Sequence, residues 1–101
     1  MQEPRPARAS AVLRQHRSAV LDAVRGCRGR RVRVFGSIAR GEDGPDSDID
    51  LLVDFEPDSS LFDLLHLARQ LEDLLGRPVD VVSAGGLKDR DRLILTEAVD
   101  L

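Results

Sequence analysis

The chain has 101 residues, room for one domain built on one core, and contains three Phe but neither Trp nor Tyr. Its apolar fraction of 42% and charged fraction of 33% belong to a globular chain rather than a disordered one. No apolar run is long enough to cross a bilayer, MQEPRPARAS lacks the apolar stretch of a secretory signal, and the single Cys27 excludes an internal disulfide, so a reducing cytoplasm is the expected location.

The net charge of −3 conceals an asymmetry: residues 1–41 hold ten Arg against two acids, whereas residues 42–101 hold five basic residues against sixteen acids. The basic half lacks the interleaved aromatics that stack bases, so direct nucleic-acid binding is not expected.

Residues 1–9, with Pro4 and Pro6, read as a flexible leader, and residues 10–101 as the single domain. Ser10 is placed to cap a helix running to about Cys27, with Val12, Leu13, Ala19, Val20, Ala23, Val24 and Cys27 at helical spacing. Residues 31–35 alternate Arg with Val and Phe, a strand with one solvated face. Gly36 breaks it, a helical turn Ser37–Arg40 follows, and the turn formers of 42–47 make a loop. Residues 48–54 (DIDLLVD) form a second, interior strand. Ser60 and Asp63 resemble a capping box that opens a helix with Leu61, Leu64, Leu65, Ala68, Leu71 and Leu75 on its apolar stripe. Gly76 ends that helix and Pro78 begins a short third strand. After Gly85-Gly86 comes a last amphipathic helix carrying Ile94, Leu95, Ala98 and Leu101. The expected fold class is α/β (α+β): a small three-stranded mixed sheet packed by helices.

The chemistry is concentrated in residues 35–55. Asp48 and Asp50, two apart in a strand, project from one face, and two adjacent carboxylates repel unless a cation joins them. Mg²⁺ prefers such hard oxygen ligands together with substrate phosphates. Asp80, between Val79 and Val81, completes a three-carboxylate site if its strand neighbours the second, the arrangement that two-metal nucleotidyl transfer requires. Gly36 and Ser37, where strand turns into helix, offer free N–H groups and a hydroxyl to a phosphate, and Arg40 lies one turn further on. An anion cradle beside metal carboxylates suits a nucleoside triphosphate with its Mg²⁺.

Gly36-Ser37, ten residues, then Asp48-Ile49-Asp50 resembles the signature of the DNA polymerase β-like nucleotidyltransferase superfamily. The surrounding GSIARG, SDIDLLVDF and GRPVDVV resemble its smallest branch, the minimal nucleotidyltransferase (MNT) proteins, over about residues 10–101. The resemblance implies a polymerase β-like fold, Asp48 and Asp50 as ligands of two Mg²⁺ ions, and Asp80 as a further ligand or the base on the acceptor hydroxyl. It also implies transfer of AMP from ATP to a tyrosine of a HEPN-domain ribonuclease, with this chain as antitoxin of a toxin–antitoxin pair.

Two other readings stand beside it. One is a binding module that neutralises its partner by occlusion and keeps the site as a relic. The other is a small-molecule nucleotidyltransferase, against which the lack of a second domain counts. Asp43 and Asp54 read as loop or surface acids, and Asp46-Ser47 as loop-ordering residues. His16 reads as packed, His66 as solvated and Cys27 as a small core residue. Arg28, Arg30, Arg31 and Arg33 read equally as partner contacts or as a solvated edge.

Overall fold

The computed structural model describes residues 7–101, so most of the expected leader lies outside the described residues. The first helical segment is two helices, α1 (Ala9–Gln15) and α2 (Arg17–Gly26), rather than one. The break falls at His16, φ −106° and ψ 19°, where the ring Nδ1 stands 3.0 Å from the Val12 carbonyl. A side chain that joins the helix ladder at its own i−4 carbonyl is a known cause of such breaks. The expected Ser10 cap is also displaced, since α1 begins one residue earlier, at Ala9. Ala19 is exposed, while Leu13, Val20, Ala23, Val24 and Cys27 are buried.

The sheet contains β1 (Gly29–Phe35), β2 (Ile49–Phe55), β3 (Val79–Ser83) and β4 (Val99–Asp100), in the order β3-β2-β1-β4. It is mixed: β2 and β3 are parallel, and β1 is antiparallel to β2 and β4. Parallel neighbours need a crossover, here supplied by α3 (Leu61–Leu75). The expected capping box is present, Ser60 paired reciprocally with Asp63, and Gly76 at φ +68° closes the helix. Of the expected apolar stripe, Leu64, Ala68, Leu71 and Leu75 face the core, and Leu61 and Leu65 do not. Leu67, Leu71 and Leu75 are buried, whereas Leu61 and Leu65 are 68% and 54% exposed.

The fourth strand replaces the end of the expected last helix. That helix, α4 (Arg92–Glu97), stops because Ala98 is extended, and the chain then pairs with β1. Arginine hydrogen bonds hold this short edge: Arg31 donates to both Asp100 carboxylate oxygens (2.9 and 3.2 Å), and Arg17 donates twice to the Leu101 carbonyl (3.1 and 2.9 Å). Two residues are too few to show a period of two, so hydrophobic pattern gives no strand signal here.

Helices α1, α2 and α3 supply Leu13, Val20, Val24, Leu67 and Leu71 to the core, against Val32, Val34, Ile49, Leu51, Val53, Val79 and Val81 from the sheet. The alternate residues of β2, Asp50, Leu52 and Asp54, therefore leave the other face. Arg28 pairs with Asp58, Arg30 with Glu56 (3.9 Å), Arg31 with Asp100 and Arg33 with Asp54 (3.5 Å). The basic half of the sequence is thus largely matched by its acidic half. Cys27 is buried, which pushes its thiol up with help from the Asp63 charge, and His66 is exposed. Among the described residues no helix is long and apolar enough to cross a membrane.

Candidate nucleotide site

β1 delivers its last residue, Phe35, opposite Asp50 of β2, and the chain then turns at Gly36. Gly36 adopts φ +73°, and a Cβ on it would overlap the Asp50 carboxylate. Glycine is required there twice, by conformation and by space. The expected helical turn is a run of hydrogen-bonded turns instead: the Arg40 N–H donates to the Gly36 carbonyl (3.1 Å), Gly41 to Ile38 (3.1 Å) and Glu42 to Ser37 (2.8 Å). Among the described residues, neither the Ser37 N–H nor its hydroxyl has a hydrogen-bond partner in the protein, so both are available to a ligand.

The loop 42–47 is fixed by Asp43, a loop acid as expected but buried at 6% exposure rather than at the surface. Its Oδ2 accepts the Ser10 N–H (2.8 Å), its Oδ1 accepts Arg8 Nη2 (2.8 Å), and the Arg8 Nε donates to its carbonyl (3.0 Å). A distant carboxylate thus does for α1 what an N-cap side chain does locally. Burial pushes the Asp43 carboxyl up, but the Ser10 and Arg8 donors outweigh it and hold it below its ordinary value. Ser47 orders the same loop, its hydroxyl accepting the Gly44 N–H (2.9 Å).

The loop ends at Asp48, immediately before β2, and the strand carries Asp50. In the parallel ladder Asp50 is the register partner of Asp80, so both leave the same face, as expected if the two strands were neighbours. Asp48 and Asp80 are exposed and Asp50 is half-buried. Burial raises the Asp50 carboxyl above its usual range, and the Asp80 and Asp48 charges push it further in the same direction. Arg40 opposes this through its charge. As they stand, no three His, Cys, Asp or Glu side chains among the described residues form a closed metal-binding cluster. Yet the donors are hard carboxylate oxygens whose mutual repulsion Arg40 offsets only in part, which fits a magnesium ion arriving with its own phosphate ligands.

Glu97, at the end of α4, was not legible as a site residue. Its Oε2 accepts the Gly36 N–H (3.2 Å), and its Oε1 accepts Arg40 Nη1 (2.8 Å). Arg40 also donates Nε to Glu42 (2.9 Å), and both pairs raise its already high pKa, that with Glu97 most. The Arg40 and Gly36 hydrogen bonds in turn hold Glu97 below the usual carboxylate range. A lone acid 61 residues from Gly36 carries no spacing signal that could have linked the two.

This site and fold match known proteins. The chain belongs to the nucleotidyltransferase domain family, whose model matches residues 13–99. Within it, the chain stands with the minimal nucleotidyltransferases. A solved structure described as a candidate minimal nucleotidyltransferase is 48% identical, with a TM-score of 0.80 over 91% of this chain and 95% of that one. A Methanocaldococcus jannaschii protein described as a candidate protein adenylyltransferase is 47% identical over 71% of this chain and 78% of its own length. The protein adenylyltransferase MntA of Thermococcus cleftensis is 51% identical over 58% of this chain and 60% of its own. A complex of a tri-AMPylated Shewanella oneidensis HEPN toxin with its MNT antitoxin matches at 18% identity and a TM-score of 0.66, over 86% of this chain and 69% of that one, a likeness of fold.

Proposed function

We propose that this nucleotidyltransferase moves AMP from ATP to a hydroxyl of a partner protein, a tyrosine of a HEPN-domain toxin, and serves as the antitoxin of that pair. The observation that carries the reading is the alignment of Asp50 with Asp80 beside the Gly36-Ser37 turn. Relatives named protein adenylyltransferases, and a fold neighbour that sits on an AMPylated HEPN toxin, support the choice of nucleotide and partner. The 101 residues contain no tyrosine, so a tyrosine acceptor must lie outside them.

In this reading Asp48, Asp50 and Asp80 hold two Mg²⁺ ions, which supply charge neutralisation to the triphosphate when bound. Ser37 donates its N–H and hydroxyl to the phosphates, and Gly36 keeps a side chain out of their path. Arg40 adds a fixed positive charge. In the same reading Asp80, the exposed register partner of Asp50, either completes the metal site or takes the proton of the incoming hydroxyl. The partner's part is to hold that hydroxyl in line with the α-phosphate, so that its bond to phosphorus forms as the α–β phosphoanhydride breaks and pyrophosphate leaves.

Co-expression with the HEPN protein, followed by intact-mass measurement of both chains, tests the proposal. Added mass in units of AMP on the partner, absent with Asp48→Asn, is the expected result. A stable complex with neither chain modified would replace it with neutralisation by occlusion.

A further inference from the structure

The reaction proposed above needs phosphate donors near Gly36, yet Glu97 already occupies the Gly36 N–H and one edge of Arg40. Two roles are open to such a carboxylate: it competes with the phosphate, or it holds the donors in place. Geometry separates them. The Gly36 N–H is the donor at the strand end, while the Ser37 N–H and hydroxyl remain free among the described residues. The hydrogen bonds to Glu97 therefore leave the cradle's inner donors open. They also fix its two ends, since Gly36 and Arg40 are themselves joined by the Arg40 N–H to Gly36 carbonyl bond (3.1 Å). Glu97, Gly36 and Arg40 form one closed ring of hydrogen bonds around the turn. Without Glu97 the Arg40 guanidinium would keep only Glu42, two residues away on the same loop.

Resting on the proposed nucleotide site, we infer that Glu97 is a positioning residue: through Gly36 and Arg40 it clamps the Gly36–Arg40 turn in the form that receives the triphosphate. Without these charge-assisted hydrogen bonds the turn must order itself on binding, and apparent affinity falls by the fraction of time the turn is correctly formed.

Calorimetric titration of Glu97→Ala, Glu97→Gln, Arg40→Ala and the double variant Glu97→Ala/Arg40→Ala with MgATP and with inorganic tripolyphosphate tests this. Glu97→Ala should weaken binding of both ligands about tenfold. Glu97→Gln keeps one acceptor oxygen for the Gly36 N–H but turns an amide NH2 donor toward Arg40, so it should recover only part of that loss. In the Arg40→Ala background, Glu97→Ala should cost clearly less than in wild type, because only its bond to the Gly36 N–H is left to lose. An equal loss of binding in both backgrounds would show that Glu97 and Arg40 act independently and would overturn the inference. Tighter binding by Glu97→Ala would also overturn it, in favour of a carboxylate that competes with phosphate. Wild-type protein that binds neither ligand would remove the proposed function and this inference together, whereas binding that Glu97→Ala leaves unchanged removes the inference alone.

Discussion

Ile49, Leu51 and Val53 leave one face of β2, and Asp50, Leu52 and Asp54 leave the other. The first three are fully buried under α1, α2 and α3, in a layer made of aliphatic side chains from three strands and three helices. The second face holds one fully buried apolar residue, Leu52, among carboxylates and arginines. One face is stabilised by removing apolar surface from water; the other brings Asp50 toward the Asp48 and Asp80 charges, which opposes folding. Stability and chemistry are thus divided between alternate residues of a single strand. A change on one face should therefore read out in a different measurement from a change on the other.

The strongest effect should come from the charged face. Asp50→Asn should lower AMP transfer by on the order of a thousandfold, since an electrostatic group acting on the reacting phosphates is lost. Thermal denaturation of the same variant should show stability unchanged or raised at neutral pH, because the raised Asp50 carboxyl marks a charge that folding disfavours. A variant that lost activity by unfolding would erase the distinction between the faces. On the buried face, Leu51→Ala should do the reverse. It should lose roughly 2–5 kcal/mol by chemical denaturation, and the protein that remains folded should bind MgATP normally.

Gly36→Ala should disturb backbone and site at once. Alanine at φ +73° is strained by roughly 1–2 kcal/mol, and its Cβ meets the Asp50 carboxylate. Denaturation should report the strain, and calorimetry with MgATP should report a binding loss larger than the strain explains. Binding equal to wild type would show that Gly36 serves the backbone turn alone.

Much of this division could be read in the sequence. The apolar run Leu51–Val53 between two acids marked an interior strand, and the Asp48-Asp50 spacing together with Gly36-Ser37 marked the charged site. These are local patterns with a period or a fixed spacing. What stayed hidden depends on contacts between distant segments. Asp43 is buried because Arg8 and Ser10 approach it across 35 and 33 residues. Glu97 reaches Gly36 across 61. On α3 the expected Leu64, Ala68, Leu71 and Leu75 face the core, but Leu61 and Leu65 fit the same helical period and are exposed while Leu67 is buried, because only the position of the sheet decides which leucines are covered. The two-residue β4 offers no pattern at all and is held by Arg17 and Arg31.

The weakest effect concerns pH, where Asp43 and Asp50 should behave oppositely. Asp43 has a folded-state pKa below its ordinary value of 3.8, so its contribution to stability is present above that value and is lost as pH falls through the folded-state pKa. Asp50 has a folded-state pKa above 3.8, so its charge opposes folding at neutral pH, and the penalty disappears as pH falls through that raised value toward 3.8. Asp43→Ala removes a helix cap and should lower stability at pH 7 by about 1–2 kcal/mol. Its deficit against wild type should hold at mildly acid pH and shrink only below 3.8, where the wild-type carboxylate is itself being protonated. Any gain from Asp50→Asn should fade at a higher pH than this, between neutrality and 3.8. Denaturation curves for the three proteins from about pH 3 to neutrality would give both trends. Parallel profiles for the two variants would mean that the buried cap and the site carboxylate share one electrostatic environment, which their opposite partners, Arg8 with Ser10 and Asp80 with Asp48, argue against.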